Sequence, residues 1–554
     1  MSLPPRVMPQ AHRSTDQFAT ADNPQAIPCE VCHVLLHDVL SHSTKLYPNK
    51  IATIDGDTQY TYAQEGDRIH RLAAGLLGLG LKPGDNIAIL ANNSHRYFEV
   101  YFVCSLAGMP LAPLNIRLAA SELEFILNDG EIKALFLGPE YAALYEQFKD
   151  KAPGLKHVIA LNAEIPGAVQ YEDLIANNEP LAKPAREWLE TDMLNLCYTG
   201  GTTGLPKGVM LSQRAVVSNA QHAVMTCSFQ ERDIWLHVAP MFHLADAWAV
   251  YSFCMVGGTH VFNAAFNPQL CLETIEKHKV TKTILVPTMV NFLVNFPGLA
   301  NYDTSSLDLV LYGASPMPVD RLVAAKNALG PKLIQAYGMT ETSPLLTAMH
   351  LEWTYYEGPE EKVRRLASCG RQVSGVDVRV VDQTTGEDVK PGQVGEIIAA
   401  GPNIMNGYWK RPKETAEALR GGYMHTGDLA TVDEENFIFI VDRAKDMIVS
   451  GGENVYCAEV ENALYDHPDV LEAAVIGIPD DRWGEAVLAI VVPKEGKSPS
   501  EGELIEHCRG LIAGYKCPKS VVFQAQPLPK SGPGKILKTE LRKPYWEGKS
   551  RNVN

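Results

Sequence analysis

The run CYTGGTTGLPKGVMLS, from Cys197 to Ser212, concentrates glycine, threonine and a lysine in a pattern suited to holding phosphate. Gly200, Gly201, Gly204 and Gly208 permit tight turns and let backbone N–H groups approach an anion, because no Cβ stands in the way. Thr199, Thr202 and Thr203 add hydroxyl donors, and Lys207 adds a mobile positive charge. The spacing is not that of a Walker A loop, in which lysine directly follows the last glycine and a magnesium-binding hydroxyl follows the lysine. Here Leu205 and Pro206 separate Gly204 from Lys207, and Gly208 occupies the hydroxyl position. The run either holds phosphate by another geometry or, taken alone, is an ordinary glycine-rich surface turn.

Further stretches carry chemically useful groups, in the order PMFH (Pro240–His243), YGASPMP (Tyr312–Pro318), QAYGMTET (Gln335–Thr342), YMHTGDLA (Tyr423–Ala430), DRAKDMIVSGGENVYCAEVE (Asp442–Glu461) and PKSGPGKILK (Pro529–Lys538). With the glycine-rich run, this ordered set resembles the adenylate-forming superfamily of acyl- and aryl-CoA synthetases, peptide-synthetase adenylation domains and luciferases. The resemblance covers nearly the whole chain after His33. The chemistry it implies makes sense of the residue types. A carboxylate is a poor electrophile at neutral pH, so it first attacks the α-phosphate of ATP and releases pyrophosphate; coenzyme A then displaces AMP from the acyl-adenylate. Both steps gather negative charge that backbone N–H groups, a cation and Mg2+ must neutralise.

Carried over residue by residue, the resemblance assigns Thr340 to the α-phosphate and Glu341, a hard oxygen ligand, to Mg2+ bridging the phosphates. Tyr337 would pack on adenine beside Gly338, with Gly313, Ala314 and Ser315 on the other wall. Asp428 would accept the ribose hydroxyls, supported by Arg443. Lys535 would steady the carboxylate and α-phosphate during adenylation. His243 would stand beside the carboxylate and the thiol-entry path, where a merely packed histidine is the alternative. Ala245, Trp248, Leu311, Met339 and Leu345 would line an apolar acyl pocket, although each could equally be core. Asp246 has no role in this scheme, since a carboxylate opposes an apolar tail unless it turns away or is paired. The two steps need different groups around one bond, which the family provides by rotating a small C-terminal domain. Lys445 takes the hinge position, and Gly451 and Gly452 would let pantetheine pass close to backbone in the second step.

These residues need a scaffold that delivers their loops to one locus. Short β-rich runs, NIAIL (Asn86–Leu90), ALFLG (Ala134–Gly138), HVIAL (His157–Leu161) and KTILVP (Lys282–Pro287), alternate with amphipathic stretches such as HRYFEVYFVCSLAG and AASELEFILNDGE. Such alternation predicts parallel-rich sheets covered by helices, an α/β fold with ligands beyond the carboxyl ends of strands. LDLVLYGASPMP reads as a buried strand, a glycine-rich turn and a helix from about Val319. After about Gly370 the strands shorten, and from Ala444 a compact α+β pattern follows: ENALYDHPDV as helix, EAAVIGIPD and AVLAIVVPK as strands, ELIEHCRGLIAG as helix. The expected organisation is a flexible tail over 1–32, a large ATP- and acyl-binding domain of several subdomains over 33–442, and a small mobile α+β domain over 443–554.

Length and composition bound the rest. The 554 residues exceed what one core supports, and 46% hydrophobic with 21% charged residues is an ordinary globular balance. A formal net charge of -16 argues against nucleic-acid partners held by phosphate neutralisation. The 11 cysteines, with one CxxC at Cys29 and Cys32, suit reduced thiols in the cytoplasm rather than disulfides or a zinc site. No apolar run approaches the ~18 residues of a membrane span, and the polar first residues carry no secretory signal; peripheral membrane contact and a homodimer stay open. Resting on the resemblance, the expected activity is that of an acid:CoA ligase using ATP, Mg2+ and coenzyme A. Its expected acid is a medium- to long-chain fatty acid, with a cinnamate- or benzoate-type acid as runner-up. Behind these stand a relative with another second step and, last, a noncatalytic nucleotide-binding protein.

Overall fold

The computed structural model describes residues 35–199, 206–313, 317, 319–330, 332–450, 453–480, 482–530 and 536–547. The tail expected over 1–32, with Cys29 and Cys32, lies outside them. The elements that carry the site follow in chain order: strands β1 (Met193–Thr199), β2 (Lys207–Ser212) and β3 (Ile234–His237), helix α1 (Leu244–Val256), and strands β4 (Thr259–Phe262), β5 (Leu309–Tyr312), β6 (Lys332–Gly338), β7 (Gly407–Tyr408), β8 (Met424–Val432) and β9 (Ile438–Arg443).

An eight-stranded sheet runs from β7 through β2 and β1 to Leu111–Pro113, Asn86–Leu90, Ile132–Leu137, His157–Ala160 and Val169–Gln170. Beyond β1 its neighbours are parallel, whereas β1, β2 and β7 pair antiparallel. A nine-stranded sheet has β6, β5, Lys282–Ile284, β3, β4 and Ile51–Asp55 as its parallel centre, with antiparallel strands at both ends. NIAIL is buried at every position, as a strand covered on both faces must be. β8 and β9 belong to a third sheet, four-stranded and antiparallel. The parallel-rich α/β architecture expected from the alternation is therefore present.

One helix differs from its expectation. HRYFEVYFVCSLA, expected to be amphipathic, is capped by Ser94 and closed by Gly108 at φ 76, but every residue except Arg96 is buried. Its buried charged groups are paired, Glu99 with Arg68 and Tyr171, and His95 Nδ1 with Asp55 at 2.8 Å, whereas His95 Nε2 and the Tyr97 hydroxyl have no hydrogen-bond partner among the described residues.

After Arg443 the chain leaves the third sheet, and from Ile448 it builds a separate five-stranded sheet with its own apolar clusters. This is the small C-terminal domain. Its first helix spans Cys457–Tyr465, starting before the expected ENALYDHPDV and stopping short of its end, because Pro468 cannot continue a helix and Val470 already opens a strand. The nine described cysteines are all buried and unbridged. Among the described residues no helix is long and apolar enough to cross a membrane.

Candidate active site

β1 and β2 form an antiparallel hairpin in which Thr199 lies opposite Lys207, so the glycine-rich run is the connection at its tip. Gly200, Gly201, Thr202, Thr203 and Gly204 lie outside the described residues. The base of the hairpin is tightly packed. A Cβ on Gly208 would stand 2.8 Å from Leu196 and 3.2 Å from Trp409, whose backbone N–H donates to the Gly208 carbonyl at 2.7 Å. β7 pairs with β2, Tyr408 opposite Val209, and brings the Tyr408 ring to 5.3 Å from the Lys207 ammonium.

The same tyrosine reaches the proposed metal ligand. Thr340 and Glu341 lie in a single 3-10 turn that follows β6, and the Tyr408 hydroxyl donates to Glu341 Oε1 at 2.9 Å. Glu341 is 6% exposed, and burial pushes its carboxyl above the ordinary range. The turn is braced by Asn403, whose amide donates to the carbonyls of Thr342 at 2.9 Å and Leu345 at 2.8 Å. Gly338 is required here because a Cβ would sit 1.5 Å from the Pro344 carbonyl oxygen. A buried carboxylate bonded to a neutral hydroxyl, beside a threonine, is a donor set that fits Mg2+. When bound, that ion would supply the positive charge phosphate oxygens need.

Asp428 on β8 lies directly across from Arg443 on β9, and Arg443 Nε stands 3.1 Å from its Oδ1. Tyr337, at the end of β6, donates its hydroxyl to Asp428 Oδ2 at 2.8 Å. The resemblance-based adenine and ribose residues are thus brought together from three strands in two sheets. Gly313 lets the end of β5 press against β6, since a Cβ there would meet the Ala336 carbonyl at 2.6 Å. Ala314 and Ser315 lie outside the described residues, as do Gly451, Gly452 and Lys535. Lys445 lies in the turn between the third and small-domain sheets. Lys445 is exposed in this turn, and its pKa is lowered by partial desolvation and then by Arg443, with Asp446, Asp428 and Glu341 opposing them.

On the acid side, His243 is the N-cap residue of α1, and burial, with the charge of Arg117, lowers its pKa to about 4. Trp248 donates its indole N–H to the Ala245 carbonyl at 2.8 Å and stacks on Phe229 at 5.9 Å. Leu311 and Leu345 are buried in the same apolar cluster as Trp248, and Met339 packs against the neighbouring one. Asp246, the residue without a role in the sequence scheme, proves to be paired. It is fully buried, accepts from Trp235 Nε1 at 2.9 Å, and bonds His237 Nδ1 at 2.9 Å.

Two residues escaped the sequence reading. Tyr408 carried no chemical signature beyond an aromatic after a glycine. His237 sat in a strand that resembled core.

The family model described as AMP-binding enzyme matches residues 40–409, and the model described as AMP-binding enzyme C-terminal domain matches 459–535. Feruloyl-CoA synthase of an Amycolatopsis species is 39% identical over 506 residues, covering 90% of this chain and 97% of the relative. A peroxisomal butyrate–CoA ligase of Arabidopsis thaliana is 35% identical over 539 residues, covering 93% and 94%. Among solved structures, an anthranilate CoA ligase in complex with anthranoyl-AMP superposes with a TM-score of 0.85 at 26% identity, covering 93% of this chain and 97% of that one.

Proposed function

Because the chain belongs to the AMP-binding enzyme family and is an acyl- or aryl-CoA ligase working through an adenylate, we propose that its acid is aromatic, of the cinnamate or benzoate type. The observation that carries this choice is the near-full-length likeness to a feruloyl-CoA synthase. In the first step a carboxylate oxygen bonds the α-phosphorus of ATP while the bond to the bridging oxygen breaks, and pyrophosphate leaves. Lys207 and the backbone N–H groups of the preceding glycine-rich run would offset the charge of the departing pyrophosphate. Thr340 and Lys535 steady the α-phosphate, Glu341 would hold Mg2+ to offset phosphate charge, and the Tyr337–Asp428–Arg443 cluster fixes adenine and ribose. In the second step the sulfur of coenzyme A bonds the acyl carbon, the bond to AMP breaks, and the thiol proton goes to a base. Neutral His243 can accept a hydrogen bond from the thiol, while a pKa lowered to about 4 makes it a weak base for the proton itself. The small domain, expected from 443, begins after Arg443, which stays in the third sheet opposite Asp428, and it turns about Lys445 between the steps.

A fatty acid is the second reading, favoured by the aliphatic side chains of Leu311, Met339 and Leu345 and by the likeness to a butyrate ligase. Pyrophosphate release measured with coenzyme A over cinnamates, benzoates and a ladder of aliphatic chain lengths separates the two. The aromatic reading expects at least about tenfold higher kcat/KM for an aryl acid, an effect on the order of 1.4 kcal/mol. A maximum at a long aliphatic chain reverses the choice, and no release with any acid overturns the ligase assignment.

A further inference from the structure

The carboxylate of Asp246 is fully buried beneath the proposed acid side of the site, and the proposed chemistry does not use it. It sits at the third position of α1, where an acidic side chain commonly turns back to cap its own helix. It does not do so here, and His243 at the N-cap position supplies no side-chain cap either. Instead the carboxylate points into the core. Its Oδ1 accepts from Trp235 and its Oδ2 from His237, both on β3. His237 Nε2 lies 2.9 Å from Nδ1 of His260 on β4, and His260 Nε2 has no partner among the described residues.

The tautomers follow from this order. An ionised Asp246 only accepts, so His237 carries its proton on Nδ1 and must accept at Nε2. His260 then donates from Nδ1 and leaves a bare Nε2, on a ring that packs near Phe98 and Phe253. Burial, with His237, keeps His260 well below its ordinary pKa, in keeping with that neutral form. Every N–H of the chain thus points toward Asp246. The amide of Asp246 in turn donates to the carbonyl of His243 at 3.1 Å. The first turn of α1 is therefore tied to two strands of the nine-stranded sheet by side chains rather than closed by a cap.

We propose that Asp246 is a positioning residue for His243: its bonds to Trp235 and His237 fix the uncapped first turn of α1, and with it the imidazole beside the reacting carboxyl group. The proposal rests on the reading of His243 as a group at the acid and thiol path. A merely structural Asp246 would lower stability and all activities alike.

A double-mutant cycle separates the possibilities. Asp246→Asn keeps the shape but can accept only through its oxygen, so its NH2 faces one of the two N–H donors. In the natural background it should lower kcat/KM for the acid about tenfold while the KM for ATP stays within about twofold. In a His243→Ala background the same change should cost less than about twofold, because the residue it acts through is gone. If Asp246→Asn does not fold, Trp235→Phe removes one tether bond and runs the same cycle. An equal factor in both backgrounds, or a rise in the KM for ATP matching the acid effect, overturns the proposal alone. If His243→Ala by itself leaves acid kcat/KM unchanged, the reading of His243 falls and takes the proposal with it.

Discussion

The proposed nucleotide side and the proposed acid side of the site are built by opposite means. On the nucleotide side, polar groups from distant segments brace each other at the surface that ATP would meet: Tyr337 and Arg443 on Asp428, Tyr408 on Glu341, and Lys207 over Tyr408. On the acid side, the facing groups are His243 and apolar side chains, and the polar bracing lies behind them, in the buried bonds of Asp246. Charge recognition needs polar groups at the contact surface. An apolar acid needs a dry wall, so rigidity there has to come from underneath.

The largest expected effect tests whether the nucleotide side is complete in the large domain. Lys535→Ala should lower adenylate formation, read as acid-dependent pyrophosphate release, at least about 100-fold, the scale of losing a charge-stabilising donor. Thiolation of a supplied acyl-adenylate should stay within a few-fold. If both half-reactions fall together, the two-orientation scheme around Lys445 fails. In that case the two sides cannot be treated as separately assembled.

A smaller effect sharpens the contrast from within. Tyr408→Phe keeps the ring near Lys207 and removes only the hydroxyl on Glu341, a loss of about 1–2 kcal/mol. Adenylation should slow about tenfold, with more Mg2+ required for half-maximal rate, while the KM for the acid stays unchanged. Titrating Mg2+ in the pyrophosphate assay reads both. A shift in acid KM with no shift in Mg2+ demand would show that Tyr408 serves the other side.

The same contrast explains what could be read from the chain alone. Asp428, Glu341 and the glycine-rich run are chemically conspicuous, and β5 and β6, which lead to Gly313 and to Glu341, alternate with helices in sequence, so these residues and this part of the scaffold are both legible. Tyr408 was not, because β7 joins β2 by an antiparallel pairing across about 200 residues that no local pattern announces. Asp246 stands out in the sequence as a carboxylate opposed to an apolar tail, but its solution lies in Trp235, His237 and His260, which meet only when β3 and β4 pair in register. The identity of the acid was the least legible feature. Leu311, Leu345 and Trp248 sit in the general core, where a pocket wall and ordinary packing use the same residue types.

The smallest effect probes the dryness of the acid side directly. His243 has its pKa lowered from 6.5 to about 4, chiefly by burial. An unfolded chain therefore takes up a proton at this residue near pH 6.5, whereas the folded chain does so only near pH 4, so the histidine's contribution is intact above 6.5 and is lost as pH falls between the two. His222 and His260 share the sign, so the natural protein should lose stability on acidification with or without His243. The diagnostic quantity is the difference between natural protein and His243→Gln, which should shift by about 1–3 kcal/mol in favour of the variant between pH 7 and pH 4 in denaturant unfolding. The imidazole is neutral throughout the intervening range, so thiolation should show no break near 6.5 that depends on His243. A break there that vanishes in His243→Gln would mean the ring is solvated, and the contrast between a polar contact surface and a dry one would collapse.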